Sequence, residues 1–223
     1  CCSQPARAAD DELWFDADGR ASLGGNWEYK VSPNYRLLLE DEGWTRAGVR
    51  NTFRTKINPW LSPEGSLDFY YTADPLADDV TELRLWLALK FTYPTFIGAI
   101  HLDRPFFYTR VEERLLWYPE ADTDDEKSRI RLRVGGTFIL NNSKLADGAI
   151  YAPWYLEGFY NFDGEAFEQD SSRDRIALGL GYVFNPAWRA DLSFISQGSR
   201  DTIEGDFEKT DNIYPLRVDY SFD

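Results

Sequence analysis

The sequence predicts an all-β chain closed into an antiparallel transmembrane β-barrel of about twelve strands, with ten as the alternative count. Three observations predict it. Apolar and polar residues alternate at every second position over segments of about 9–13 residues, longer than the roughly 5–6 of ordinary strands and close to the roughly 9–11 of a membrane-spanning barrel strand. Aromatic residues make up 16% of the chain and gather near the ends of those segments, as interfacial girdles do. The connections alternate between short Pro- or Asn-containing turns and longer acidic loops. No apolar run approaches the roughly 20 residues of a spanning helix; the longest are Leu85 to Leu89 and Phe96 to Ile100.

The elements follow in order. Segment 12–22 carries Trp14 and runs to a turn at Gly24-Gly25. Segments 26–31 and 35–42 flank Ser32-Pro33-Asn34, a turn signature. Merging 12–31 into one bent strand and 35–57 into another gives the count of ten. Segment 47–57 leads to the turn Asn58-Pro59-Trp60, and 65–72 to the acidic loop 73–80. In 81–92, Leu83, Leu85, Leu87, Leu89 and Phe91 oppose Glu82, Arg84, Trp86, Ala88 and Lys90. A helix would mix these two sets, because its period is 3.6 rather than 2. Tyr93-Pro94-Thr95 turns the chain into 98–117, and the acidic loop 118–126 follows. In 127–140, Ile130, Leu132, Val134, Phe138 and Leu140 face away from Arg129, Arg131, Arg133 and Thr137. Segment 141–148 falls in a short-turn position yet is longer than its class. Segments 149–162 and 172–185 flank the loop 163–171. Asn185-Pro186-Ala187 then turns into 188–198, and loop 199–211 leads to the last strand, 212–222. Either even count places both chain ends on one side. Short turns belong on the periplasmic side of such a barrel and long loops outside.

Charge and cysteine content narrow the function classes. Lys and Arg total 24 against 38 Asp and Glu, a net charge of −14, which disfavours nucleic acid as a partner. The two cysteines are Cys1 and Cys2, so a disulfide framework and a tetrahedral Cys/His metal site are both excluded. Residues 1–11 read as an export-signal remnant, with Ala6-Arg7-Ala8 as a small-residue cleavage site, or as a lipidated tail with Cys1 as the acylated residue. Residues 12–223 read as one barrel domain.

Four segments carry a family resemblance: Tyr108-Thr109-Arg110-Val111-Glu112-Glu113-Arg114-Leu115, Arg129-Ile130-Arg131-Leu132-Arg133, Tyr155-Leu156-Glu157-Gly158-Phe159 and Arg175 to Phe184. In this order they resemble the small outer-membrane β-barrels of Gram-negative bacteria that are grouped as a domain of unknown function. The resemblance spans about residues 35–222. It implies fold and location, and it implies no activity.

With apolar faces toward lipid, the opposite faces line the lumen. The lumen-lining set is Arg50, Arg54, Arg84, Arg110, Glu112, Arg114, Arg129, Arg131, Arg133, Glu157, Arg175, Arg189 and Arg217. Arg36, Lys56 and Lys90 join it as further cations, and Glu40, Asp68, Glu82, Asp191 and Asp219 as further acids. Such a lumen is cation-rich, and Glu112 and Glu157 are the expected partners of the Arg129–Arg131–Arg133 ladder. The expected function is a porin-like narrow channel or passive transporter for small, anionic solutes in the outer membrane. The alternatives are a closed barrel that anchors or completes an envelope assembly with protein partners, and a lipid-modifying enzyme. No catalytic residue, metal or cofactor is assigned. His101 beside Asp103 is the only histidine, Ser193 or Ser196 would have to act with it, and no Gly-x-Ser-x-Gly elbow is present. The acidic run Asp122 to Glu126 lacks the spacing of an EF-hand calcium loop.

Overall fold

The computed structural model describes residues 9–40, 42–93, 102–162, 173–199 and 208–222. Among the described residues there are eleven strands: β1 (Asp10–Gly24), β2 (Trp27–Leu38), β3 (Thr45–Thr55), β4 (Leu61–Ala73), β5 (Val80–Thr92), β6 (Leu102–Tyr118), β7 (Thr123–Ile139), β8 (Ile150–Asn161), β9 (Arg173–Val183), β10 (Trp188–Ser199) and β11 (Glu208–Phe222). Each pairs with its sequence neighbours in antiparallel register, and β1 pairs with β11 to close the barrel.

The count lies between the two expected values, and the reason is local. The turn at Gly24-Gly25 forms, with both glycines at positive φ (93° and 58°), a conformation that costs glycine least. The turn at Ser32-Pro33-Asn34 does not; β2 runs straight through it. Proline has no N–H to give a ladder, and the pairing of β2 with β1 lapses there, between Asp16 opposite Asn34 and Gly19 opposite Val31. An odd count also corrects the placement of the ends. β1 and β11 run parallel, Asp10 opposite Asp211 and Ala21 opposite Phe222, so the strand ends Asp10 and Phe222 lie at opposite rims.

The connections sort by end. Asn58 Oδ1 accepts from the Trp60 and Leu61 amides, and Asn185 Oδ1 from those of Ala187 and Trp188, so both turns are made by the asparagine side chain. The loop expected at 118–126 is mostly strand: β6 and β7 stay paired out to Tyr118 opposite Thr123. Its acids are exposed, so the hairpin stands clear of the barrel wall there. Segment 141–148 packs back, with Leu145 against Ile139, Ala149, Tyr151 and Val183. The Gly148 amide donates to the Val183 carbonyl at 2.8 Å. Pro94, Thr95 and 98–101 lie outside the described residues, as do loops 163–171 and 200–207.

Hydropathy is inverted relative to a soluble barrel. Leu85, Leu87 and Leu89 face outward and exposed, Leu87 at 70%, while Trp86 and Ala88 between them, and Glu82 and Arg84 before them, are buried. The same contrast separates Ile176, Leu178 and Leu180 from Ala177, and Leu192 and Phe194 from Ile195. An exposed apolar wall carried around successive strands exceeds what a soluble monomer presents to water. Aromatics cluster on it near the short-turn end. Trp188, Tyr220 and Phe222 form a chain of ring contacts, each with centroids 4.5 Å apart, and Trp60, Phe91 and Phe107 form another.

Candidate functional site

The lumen is the densest concentration of charge among the described residues. Strand alternation sends Arg and Glu side chains inward, and cross-strand register sets acids opposite bases: Glu112 opposite Arg129, Glu157 opposite Arg133 and Arg175, Arg54 opposite Glu64, Asp191 opposite Arg217, Asp219 opposite Arg189.

Three buried glutamates act as hubs. Glu82 accepts from Arg84 Nε at 2.8 Å, from Arg114 Nε at 2.8 Å and from Arg46. Glu112, with no solvent exposure, faces Arg110 Nε at 2.6 Å and Arg129 Nε at 2.5 Å, with Arg131 at 3.7 Å and Arg84 at 3.9 Å. Glu157 binds Arg131, Arg133 Nε at 2.7 Å and Arg175 Nη1 at 3.6 Å. Because Arg84 and Arg131 each touch two hubs, one ion-paired network joins β3, β5, β6, β7, β8 and β9. Asp68, also fully buried, accepts from Trp86 Nε1 at 2.9 Å and from Ser66 Oγ at 2.5 Å. The three ladder arginines therefore share two carboxylates across two seams.

Aromatic rings are interleaved with the guanidinium groups. Arg46 and Arg84 both lie over Tyr70, at 4.2 and 4.8 Å from its centroid. Arg110 lies over Trp86 at 4.0 Å and Arg133 over Tyr155 at 4.2 Å. Among the described residues, Arg36 and Lys90 lean on rings rather than on carboxylates, Trp14 at 3.9 Å and Phe106 at 4.7 Å. Such contacts hold a cation where water is scarce.

Toward the short-turn end the pairs are smaller. Arg50 Nη2 donates to Asp16 at 2.6 Å, Lys30 sits 3.4 Å from Asp18, and Arg54 Nε donates to Glu64 at 2.6 Å. Asp219 receives Arg189 Nε at 3.1 Å together with Arg20. Arg217 faces inward on β11 opposite Asp191.

Two residues placed in the lumen from sequence lie elsewhere. Lys56 and Glu40 sit beyond the ends of β3 and β2, exposed. Glu12, Asp16, Asp18 and Glu64 are buried inside and were missing from the expected set, as were the cations Arg20, Lys30 and Arg46, which pair within the barrel. The signal of the acids was available: Asp16 and Asp18 alternate with Phe15 and Ala17, and Glu64 precedes Ser66, Asp68 and Tyr70 at steps of two.

For catalysis, His101 lies outside the described residues, as does Cys1. Ser193 Oγ donates to Asp191 at 3.4 Å inside the barrel, and Ser196 belongs to the outward row of β10, opposite Asn212. Among the described residues no group of three or more His, Cys, Asp or Glu has the geometry to hold a metal ion.

No curated protein matches the chain. A family model does, over residues 11–206, a span that takes in the charge ladder of β5 to β9 and the inward acids of β1. The chain therefore belongs to the family described as "Protein of unknown function (DUF2490)".

Proposed function

We propose that this chain is an integral barrel of a Gram-negative outer membrane whose lumen is sealed by its own ion pairs, and that it serves as an anchoring or scaffolding subunit of the envelope. The long-loop end faces outward and the short turns face the periplasm. The observation that carries this reading is the burial of the hubs: Glu112 and Asp68 have no solvent exposure, and Arg84 and Arg110 are below 9%. A water-filled pore would leave its lining charges wet. A closed lumen instead calls for its buried carboxylates to be neutralised, and in the network from β3 to β9 each of the three hub glutamates is paired with arginines. The apolar outer wall supports the membrane location.

Arg36 and Lys90, held by rings rather than by carboxylates, favour one second reading: a channel that passes small anions once the hub pairs open. Planar-bilayer conductance separates the two. The sealed barrel gives no unitary steps, and Glu112→Gln with Glu157→Gln in one chain gives anion-selective steps. Stable anion-selective steps from the unmodified protein would overturn the sealed-barrel reading in favour of the channel.

A further inference from the structure

The outer wall has one break in its relief. On β9, β10 and β11, Leu180, Leu192 and Leu216 form a continuous outward row. In the next row toward the short-turn end, Tyr182 and Val218 flank Ala190, so a methyl group stands where its neighbours are large. The result is a shallow, open hollow of about 350 Å³ in the outer surface, lined by Leu180, Leu192, Leu216, Tyr182, Phe184 and Ile150. Its floor is the backbone at Gly181, Ala190 and Asp191.

The floor is sealed from the lumen and free of unmet polar demand. Tyr151 lies against Gly181 on the inner side; a Cβ at that glycine would meet the Tyr151 ring at 2.3 Å. The Tyr151 hydroxyl donates to the Ala190 carbonyl at 3.3 Å and also contacts Asp191 Oδ2 at 3.3 Å. Gly181 and Asp191 are paired in the β9–β10 ladder. A hollow lined by apolar side chains, with its backbone groups already bonded, offers water no partners. It opens onto the wall that the proposed function gives to lipid. Its lower end meets the aromatic collar of Phe184, Trp188 and Tyr220, the level at which amphipathic rings mark the edge of the hydrocarbon layer.

We infer that this hollow is a binding site for one phospholipid acyl chain of the periplasmic leaflet, with Ala190 as the residue that creates it. The inference rests on the membrane reading above. Hydrocarbon is the occupant because the walls are apolar and the wall around them is continuous with the lipid-facing surface. The floor offers no cation to hold a headgroup, so the site selects for a chain and is indifferent to the headgroup.

The test uses full-length protein reconstituted in vesicles of phosphatidylethanolamine and phosphatidylglycerol, then released into detergent for native mass spectrometry. The unmodified protein is expected to retain one phospholipid of either headgroup. In Ala190→Phe, which fills the hollow from the outer face, the lipid-bound fraction is expected to fall about tenfold, the effect of losing two buried methylene groups. Leu87→Phe on the β5 wall is the control and retains the lipid. Equal retention by Ala190→Phe and the unmodified protein overturns the acyl-chain site. Failure of the unmodified protein to insert into the vesicles overturns the membrane reading instead, so the two failures are distinct.

Discussion

Glu157 is a single residue that three arginines depend on: Arg131, Arg133 and Arg175 all reach it. Its removal leaves buried positive charge without an answer. Glu157→Ala is expected to lower unfolding stability by about 3–5 kcal/mol, the cost of breaking a buried pair by deleting one partner. If the pair were wet, the loss would be about 0–1 kcal/mol, as for exposed pairs. Denaturant titration in detergent, followed by tryptophan fluorescence, measures the difference. Gly48 is a second position where one atom matters. Tyr70 from β4 lies over it, and a Cβ there would meet the ring at 2.2 Å. Gly48→Ala is expected to displace Tyr70 from beneath Arg46 and Arg84, destabilising the barrel by about 1–3 kcal/mol, an overpacking cost. An unchanged unfolding midpoint would show that the ring moves freely.

At the scale of the strand, most of the architecture was legible in the sequence because the side-chain period of two survives in the strands of the barrel wall. Arg129, Arg131 and Arg133 belong to one face by sequence alone, since alternate residues of a strand must share it. Their partners followed from adjacency: β6 carries Glu112 and β8 carries Glu157. Pro33 was misleading because Pro beside Asn is a turn signal in water. Inside a sheet it is tolerated where a neighbouring pairing lapses, and that depends on β1, which local sequence does not encode. The stretch 118–126 misled in the opposite direction. Its acids suggest a loop, yet a hairpin that extends into water needs no apolar face to stay paired. Asp16, Asp18 and Glu64 follow the same period of two, but they stand among Ala17, Gly19, Pro63 and Gly65 rather than large apolar residues, so their inward face is weakly marked in the sequence. The ring contacts of Arg36 and Lys90 were beyond reach, since they depend on the barrel's curvature bringing side chains across several strands.

For the molecule as a whole, polar side chains meet within a closed wall and apolar ones point out, so the folded form is expected to need that wall covered. The protein is expected to require detergent for monodispersity. It is also expected to migrate faster on a gel when unheated than when boiled, since the closed ladder resists detergent at room temperature. Equal migration with and without heating, combined with a soluble monomer in plain buffer, would place the apolar wall in some other setting. High salt is expected to leave the unfolding midpoint nearly unchanged, because the Glu112 and Glu157 pairs are shielded from counterions by burial.

The seam between β1 and β11 has a consequence for how the polypeptide is threaded. A chain that crosses a bilayer an odd number of times cannot leave both of its ends in the compartment it came from. Asp10 sits with the start of β11, at the rim that also carries residues 74–79, whereas Phe222 sits with the Asn185 turn at the other. In the membrane orientation proposed above, the two rims face different compartments, so Asp10 and Phe222 are expected on opposite sides. With Cys1 and Cys2 replaced by Ser, Asp10→Cys is expected to react with an impermeant maleimide in the same compartment as Leu76→Cys. Ser221→Cys is expected to react with Pro186→Cys in the opposite one. Reaction of Asp10→Cys and Ser221→Cys from a single side would mean that the cellular barrel closes with an even number of strands. A peptide fused ahead of Asp10 would then share the compartment of Pro186, whereas the parallel seam predicts that it shares the compartment of Leu76.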